Sequence, residues 1–108
     1  MAQVSIVRGD GSTVIADTEK RTLSYYRYHV RFTPLEWKIL RALYEARPNV
    51  IEREKLVELI WGDEKSNLPT RTIDVHISSI RRKVAYIKGA RIDSAYGHGY
   101  RLLMLTRF

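Results

Sequence analysis

The spacing of apolar positions changes twice along the 108 residues, which divides the chain into three stretches. In the first thirty or so residues, short β-branched and aromatic runs alternate with turn-forming clusters. Val4–Val7, Thr13–Ala16, Thr22–Tyr26 and Tyr28–Phe32 read as strands, joined by Gly9-Asp10-Gly11-Ser12 and by residues 17–20. Three or four strands so tightly connected predict an antiparallel sheet. Arg27 is a poor residue for a two-residue hairpin turn, so the boundary between the last two runs is the least defined.

From residue 33 the period becomes helical. Thr33-Pro34-Leu35-Glu36 joins a capping-box threonine and glutamate to a proline at the first helical position. Leu35, Ile39, Leu40, Leu43 and Tyr44 then share one face, with Trp37 also assigned to the core, and Pro48-Asn49 ends the helix. A second helix is expected from about Glu52 to Trp61, with Leu56, Leu59 and Ile60 inward and Gly62 as its stop. Glu52 is not a preferred N-cap, but its carboxylate can accept from N–H groups. A polar loop over residues 62–70 leads to a third helix, about 71–86, in which Ile73, Ile77, Ile80, Val84 and Ile87 make a narrow apolar stripe. Two apolar runs around Gly97-His98-Gly99 then read as a C-terminal β-hairpin. The pattern predicts a single α+β domain over 1–108: a sheet in 1–32, three helices in 33–88 and a hairpin in 91–105.

The third helix carries the most chemistry. Opposite its isoleucines lie Arg71, Val75, Ser78, Ser79 and Arg82, with His76 and Arg81 on the flanks and Asp74 as its only acid. Arginines neutralise phosphates or fork onto guanine, hydroxyls meet base edges, and valine can meet a thymine methyl. Free N–H groups at the helix start, beside Arg71 and Thr72, would also suit a phosphate. Charge points the same way. Residues 1–68 hold 11 Lys+Arg against 10 Asp+Glu, whereas residues 69–108 hold 8 against 2, so nearly all of the net +7 sits at one end. The same features would serve a basic amphipathic helix docking on an acidic protein or on a membrane surface.

Other classes lose ground. With 44% hydrophobic and 29% charged residues the chain can bury one modest core. No apolar stretch is long enough for a membrane span, and no secretory signal is visible. The absence of cysteine removes disulfides and thiolate chemistry and fits a reducing cytoplasm. Asp74, His76 and Ser78 point in different directions, so they form no catalytic relay, and the expectation is no enzyme. The scattered His29 and His98 match no metal spacing, and neither metal nor cofactor is expected.

Helices in this order, followed by a hairpin, make a winged helix-turn-helix, and the residues point to one family. Phe32-Thr33-Pro34-Leu35-Glu36-Trp37, Arg53-Glu54 with Leu56, Ile60-Trp61-Gly62, the run from Arg71 to Lys83, and Gly97-His98-Gly99-Tyr100-Arg101 resemble the OmpR/PhoB-type effector domain of bacterial two-component response regulators. The resemblance covers essentially the whole chain and implies a four-stranded N-terminal sheet. It also implies sequence-specific binding of double-stranded DNA by a transcriptional regulator, with the third helix in the major groove and the hairpin wing at the minor groove. Arg71, Thr72, Val75, His76, Ser79 and Arg81 occupy family contact positions, and Trp61 matches a tryptophan near the backbone contacts. Ser78 and Arg82 on the helix, with Ser94, Tyr96 and His98 on the wing, complete the candidate DNA-binding set.

Four positions depart from the pattern, Glu52 standing where relatives often have serine. Ser78 and Ser79 stand where many relatives carry arginine, and Tyr96 replaces an arginine that some insert into the minor groove. The family further implies a cytoplasmic protein that is monomeric when free, pairs head to tail on direct-repeat half-sites, and can contact RNA polymerase through the loop before the third helix. Relatives also carry a phosphoacceptor receiver domain, which is not recognisable here. The reading favoured is an effector domain separated from a longer regulator over a naturally short protein. Among the bland assignments, Trp61 reads as a packing residue, Asp74 as a partner of the helix dipole or of Arg53, and Tyr100 and Leu102 as hairpin anchors.

Overall fold

Four short strands open the chain and pair in sequence order. The computed structural model describes residues 3–62, 71–95 and 98–104, apart from the side chain of Arg71. β1 (Gln3–Val7), β2 (Thr13–Asp17), β3 (Thr22–Tyr25) and β4 (Tyr28–Arg31) form an antiparallel sheet in the order β1-β2-β3-β4. Val14, Leu23 and Tyr25 face the core, while Val4, Val7 and Ile15 stay exposed on the sheet. Asp17 shapes one connection, its Oδ1 accepting from the backbone N–H groups of Glu19 and Lys20 at 3.0 Å each. The last hairpin turns on two residues, where the predicted runs leave only Arg27 between them. Tyr25 pairs with Tyr28, so Tyr26 and Arg27 are the turn, and Tyr26 takes the left-handed conformation at φ +53°. That turn is why β3 stops one residue short of the predicted strand.

α1 (Pro34–Ala46) begins as its sequence requires. The Thr33 side chain accepts from Glu36 N at 3.1 Å, and Glu36 Oε1 accepts from Thr33 N at 2.9 Å. Ile39, Leu40 and Leu43 are buried. Leu35, Trp37 and Tyr44 are half-buried against them, and the Trp37 ring lies 5.8 Å from that of Phe32.

α2 (Arg53–Trp61) corrects two expectations. Leu56 and Val57 are buried, whereas Leu59 is 53% exposed. At 100° per residue Leu59 lies about 110° from the centre of the arc shared by Leu56, Val57 and Ile60, too far round to reach the core. Glu52 makes no side-chain cap. Instead the first helical N–H, that of Arg53, donates to the His98 carbonyl at 3.0 Å. α3 (Arg71–Val84) buries the whole isoleucine stripe, with Ile73, Ile77 and Ile80 at 0% exposure. It ends two residues earlier than its pattern predicts. The N–H groups of Tyr86 and Ile87 turn back to Lys83 and Val84, closing tighter turns that keep Ile87 buried.

The C-terminal hairpin, β6 (Ala90–Ala95) and β7 (Gly99–Met104), gains a third strand that periodicity could not reveal. Residues Ile51–Glu52 form β5, which pairs with β7 through Ile51↔Tyr100 and Glu52↔Gly99, giving the order β5-β7-β6. Two residues are too few to show alternation. Gly99 makes the pairing possible, since a Cβ there would sit 2.0 Å from the Ile51 carbonyl oxygen. Among the described residues α3 touches both antiparallel sheets, through β4 and through β6. The predicted loop over 62–70 from residue 63 onward, Tyr96, Gly97 and the predicted hairpin end at Leu105 lie outside the described residues.

Candidate nucleic-acid interface

Burial of the isoleucine stripe fixes which side of α3 faces outward. Val75 is 66% exposed, and Ser78 and Arg82 are exposed beside it. A valine so placed gains nothing from water, so it is available to an apolar partner. Thr72 and His76 flank this stripe and are half-buried. Arg71 begins the helix. Asp74 in the first turn and Arg81, Arg82 and Lys83 in the last complement the helix dipole at both ends.

Three residues of the candidate set are engaged inside the domain by their side chains. The Ser79 hydroxyl donates to Glu36 Oε2 on α1. Arg81 reaches the wing, with Nε donating to the Ile92 carbonyl at 2.9 Å and Nη2 to Ser94 Oγ at 2.7 Å, while its guanidinium lies 5.4 Å from the Tyr100 ring centre. Arg81 and Ser94 thus join recognition helix to wing. His98 is exposed in the wing turn, and Trp61 is half-buried against the core.

Two polar braces hold α3 in place. On one side Asp74 Oδ1 accepts from Arg53 Nε at 2.9 Å and from the Tyr100 hydroxyl, tying α3 to α2 and to β7. Burial and the bond to Asp74 raise the Tyr100 pKa and keep the phenol a donor. On the other side Glu36, only 3% exposed, accepts from Ser79 and from Lys83 Nζ at 2.6 Å. Burial alone would raise the Glu36 pKa. The bonds from Lys83, Ser79 and the Thr33 backbone outweigh it and bring the carboxyl to about 2. Sequence reasoning identifies Glu36 as a capping residue, and nothing local marks it as a brace for a helix more than forty residues away. The contact to Asp74, by contrast, is anticipated through Arg53.

A braced helix with an exposed valine, serine and arginine is thus joined to the hairpin by an arginine clamp. A family model described as "Transcriptional regulatory protein, C terminal" matches residues 27–102. The chain belongs to that family. It is an OmpR/PhoB-type C-terminal DNA-binding domain, the class of winged helix used by transcriptional regulators. It is 40% identical over 73 residues to the uncharacterised transcriptional regulatory protein YbdJ of Bacillus subtilis, covering 68% of this chain and 32% of that protein. It is 39% identical over 72 residues to the regulatory protein VanR of Enterococcus faecium, covering 65% and 31%. This OmpR/PhoB-type chain thus spans about a third of the length of those two relatives.

Solved structures agree on the fold. The C-terminal domain of the nisin resistance regulator NsrR superimposes with a TM-score of 0.67 at 30% identity, over 79% of this chain and 86% of that one. The response regulator DrrB of Thermotoga maritima, an OmpR/PhoB homologue, gives 0.69 at 26% identity, over 90% and 43%. The AdeR DNA-binding domain, solved in complex with an intercistronic region, shares the fold at 24% identity with a TM-score of 0.66, over 82% and 92%. Among the described residues no helix is long and apolar enough to cross a membrane, and no cluster of His, Asp and Glu could hold a metal ion.

Proposed function

We propose that this OmpR/PhoB-type domain reads double-stranded DNA by sequence, with the Val75–Ser78–Arg82 face of α3 in the major groove and the β6–β7 wing at the adjacent minor groove. The observation that carries this reading is the 66% exposure of Val75 in the middle of a cationic, hydroxyl-bearing face. A surface serving only charge needs no valine there. Arg71, Thr72 and His76 would add contacts at the helix start, and His98 and Tyr96 at the wing tip. Ser79 and Arg81 would act chiefly by holding α3 and the wing at a set angle, because their polar atoms are engaged within the domain. AdeR, a structural neighbour solved on an intercistronic region, supports the DNA assignment by its fold.

In a cell the domain would act in the cytoplasm, as the effector part of a longer two-component regulator and not as an enzyme. It would be monomeric when free and pair head to tail on direct repeats. Contact with RNA polymerase through the 63–70 loop rests on the family resemblance alone. The test is a titration of a selected duplex and a random duplex across salt. For six or more phosphate contacts affinity falls roughly 10³-fold or more between 50 and 200 mM salt, and the selected duplex keeps an advantage throughout. A flat salt response rejects the reading in favour of an acidic protein partner, and equal affinity for both duplexes rejects it in favour of nucleic-acid binding without sequence preference.

A further inference from the structure

The basic surface does not stop at the end of α3. Arg82 lies on the same side of α3 as Val75 at 100° per residue, and Tyr86 follows two residues after the helix ends. Tyr86 is exposed, and its ring lies 5.4 Å from that of Tyr28 on β4. Tyr28 follows the Tyr26-Arg27 turn, where Tyr26 is 76% exposed and held at φ +53°. A bulky side chain in that conformation costs about 1–2 kcal/mol, and such strain gathers at working surfaces.

Charge says what this surface suits. Residues 20–31 contain Lys20, Arg21, Arg27 and Arg31 and no acid, and residues 75–92 contain Arg81, Arg82, Lys83, Lys88 and Arg91 and no acid. The chain as a whole carries 12 acids, so two acid-free segments meeting at one tyrosine pair is a marked local excess of positive charge. Lys83 is neutralised by Glu36, and Arg91 by Asp93 just beyond that segment. Arg27 and Arg82 are exposed and form no ion pair among the described residues. Exposed tyrosine hydroxyls and arginines without acids match a phosphodiester backbone, which offers only acceptors and negative charge.

We propose that the β3–β4 hairpin, through Arg27 with Tyr28 and Tyr86, is a second DNA-backbone contact that lengthens the footprint beyond the groove occupied by α3. From Val75 to Val84 the axis of α3 runs about 14 Å, against a major-groove width of roughly 12 Å. With the N-terminal half of α3 on the bases, its C-terminal end and the tyrosine pair beyond it lie on the side towards the phosphates. The inference rests on the major-groove placement of α3 and adds the sheet to the binding surface.

The experiment compares the full chain with Arg27→Ala and with Tyr28→Phe/Tyr86→Phe on two selected duplexes. One ends at the half-site and the other extends half a helical turn past it on each side. On the longer duplex, the loss of affinity between 50 and 200 mM salt should be about 3- to 4-fold smaller for Arg27→Ala than for the unaltered chain, one phosphate contact's worth. On the short duplex the two proteins should coincide, and the hydroxyl-radical footprint of the variant should shrink on one flank only. Identical salt responses and footprints overturn the proposal, provided Val75→Ala still weakens selected-site binding. Defects confined to cooperative binding of two copies on direct repeats also overturn it, placing the patch against a second copy. Absence of any salt-dependent duplex binding removes the major-groove reading and this inference with it.

Discussion

Replacing Glu36 by glutamine tests the brace beneath the recognition helix most directly. The side chain keeps its shape and can still accept from Thr33 N, but Lys83, with 30% of its side chain exposed, loses its counter-charge. The carboxyl lies at about 2 against an ordinary 4.5. That depression corresponds to about 3 kcal/mol of folding stability at neutral pH. Removing one partner of a buried pair costs a similar amount. Glu36→Gln should therefore lower stability by about 3 kcal/mol at pH 7, and Tm by about 12 °C for a domain of this size. Because the folded pKa is depressed, the contribution is complete above pH 4.5 and is lost as pH falls through about 2. At pH 3 only about 1 kcal/mol of it should remain. Urea unfolding of both proteins from pH 7 to pH 3 measures this directly, and the gap between them should close on acidification. A gap below about 1 kcal/mol at pH 7, or one that does not narrow in acid, would falsify the brace. Adding Lys83→Met removes the stranded ammonium, so the double variant should recover part of the loss, a coupling that independent sites would not show.

Val75→Ala should leave unfolding within about 0.5 kcal/mol, because the side chain is 66% exposed, and should weaken selected-site binding by roughly 1 kcal/mol with random DNA unaffected; a lower Tm with unchanged sequence preference would make Val75 a packing residue. Arg82→Ala should weaken all duplexes alike and reduce the salt slope by about one unit. Arg81→Ala, which unclasps Ile92 and Ser94, should instead lose selectivity with little change of slope, and a full unit of slope lost at Arg81 would contradict the clamp. Gly99→Ala places a methyl 2.0 Å from the Ile51 carbonyl and should cost about 3 kcal/mol or more by denaturant titration; a loss under about 1 kcal/mol would mean that β5 does not pack so closely against β7.

Much of this protein is legible from local chemistry alone. The Thr33–Glu36 capping box, the isoleucine stripe of α3 and the glycine-bounded wing each express a property of one element on its own. Side-chain periodicity and cap chemistry are short-range, so they survive without knowledge of neighbours. The outward face of α3 follows from the inward one, and with it the positions of Val75 and Arg82. What needs tertiary structure is everything decided by a distant partner. β5 is two residues long and exists because β7 lies beside it with glycine at position 99. Leu59 and Val57 exchange places because the direction of the core, not hydrophobicity alone, selects the buried arc of α2. Ser79 and Arg81 look like readers from their place on the helix, yet their polar atoms go to Glu36 and to the wing. Lys83 and Glu36 meet across 47 positions of sequence. Nothing in the spacing of either helix encodes that distance, since a hydrogen bond is satisfied by whichever group the fold brings within about 3 Å.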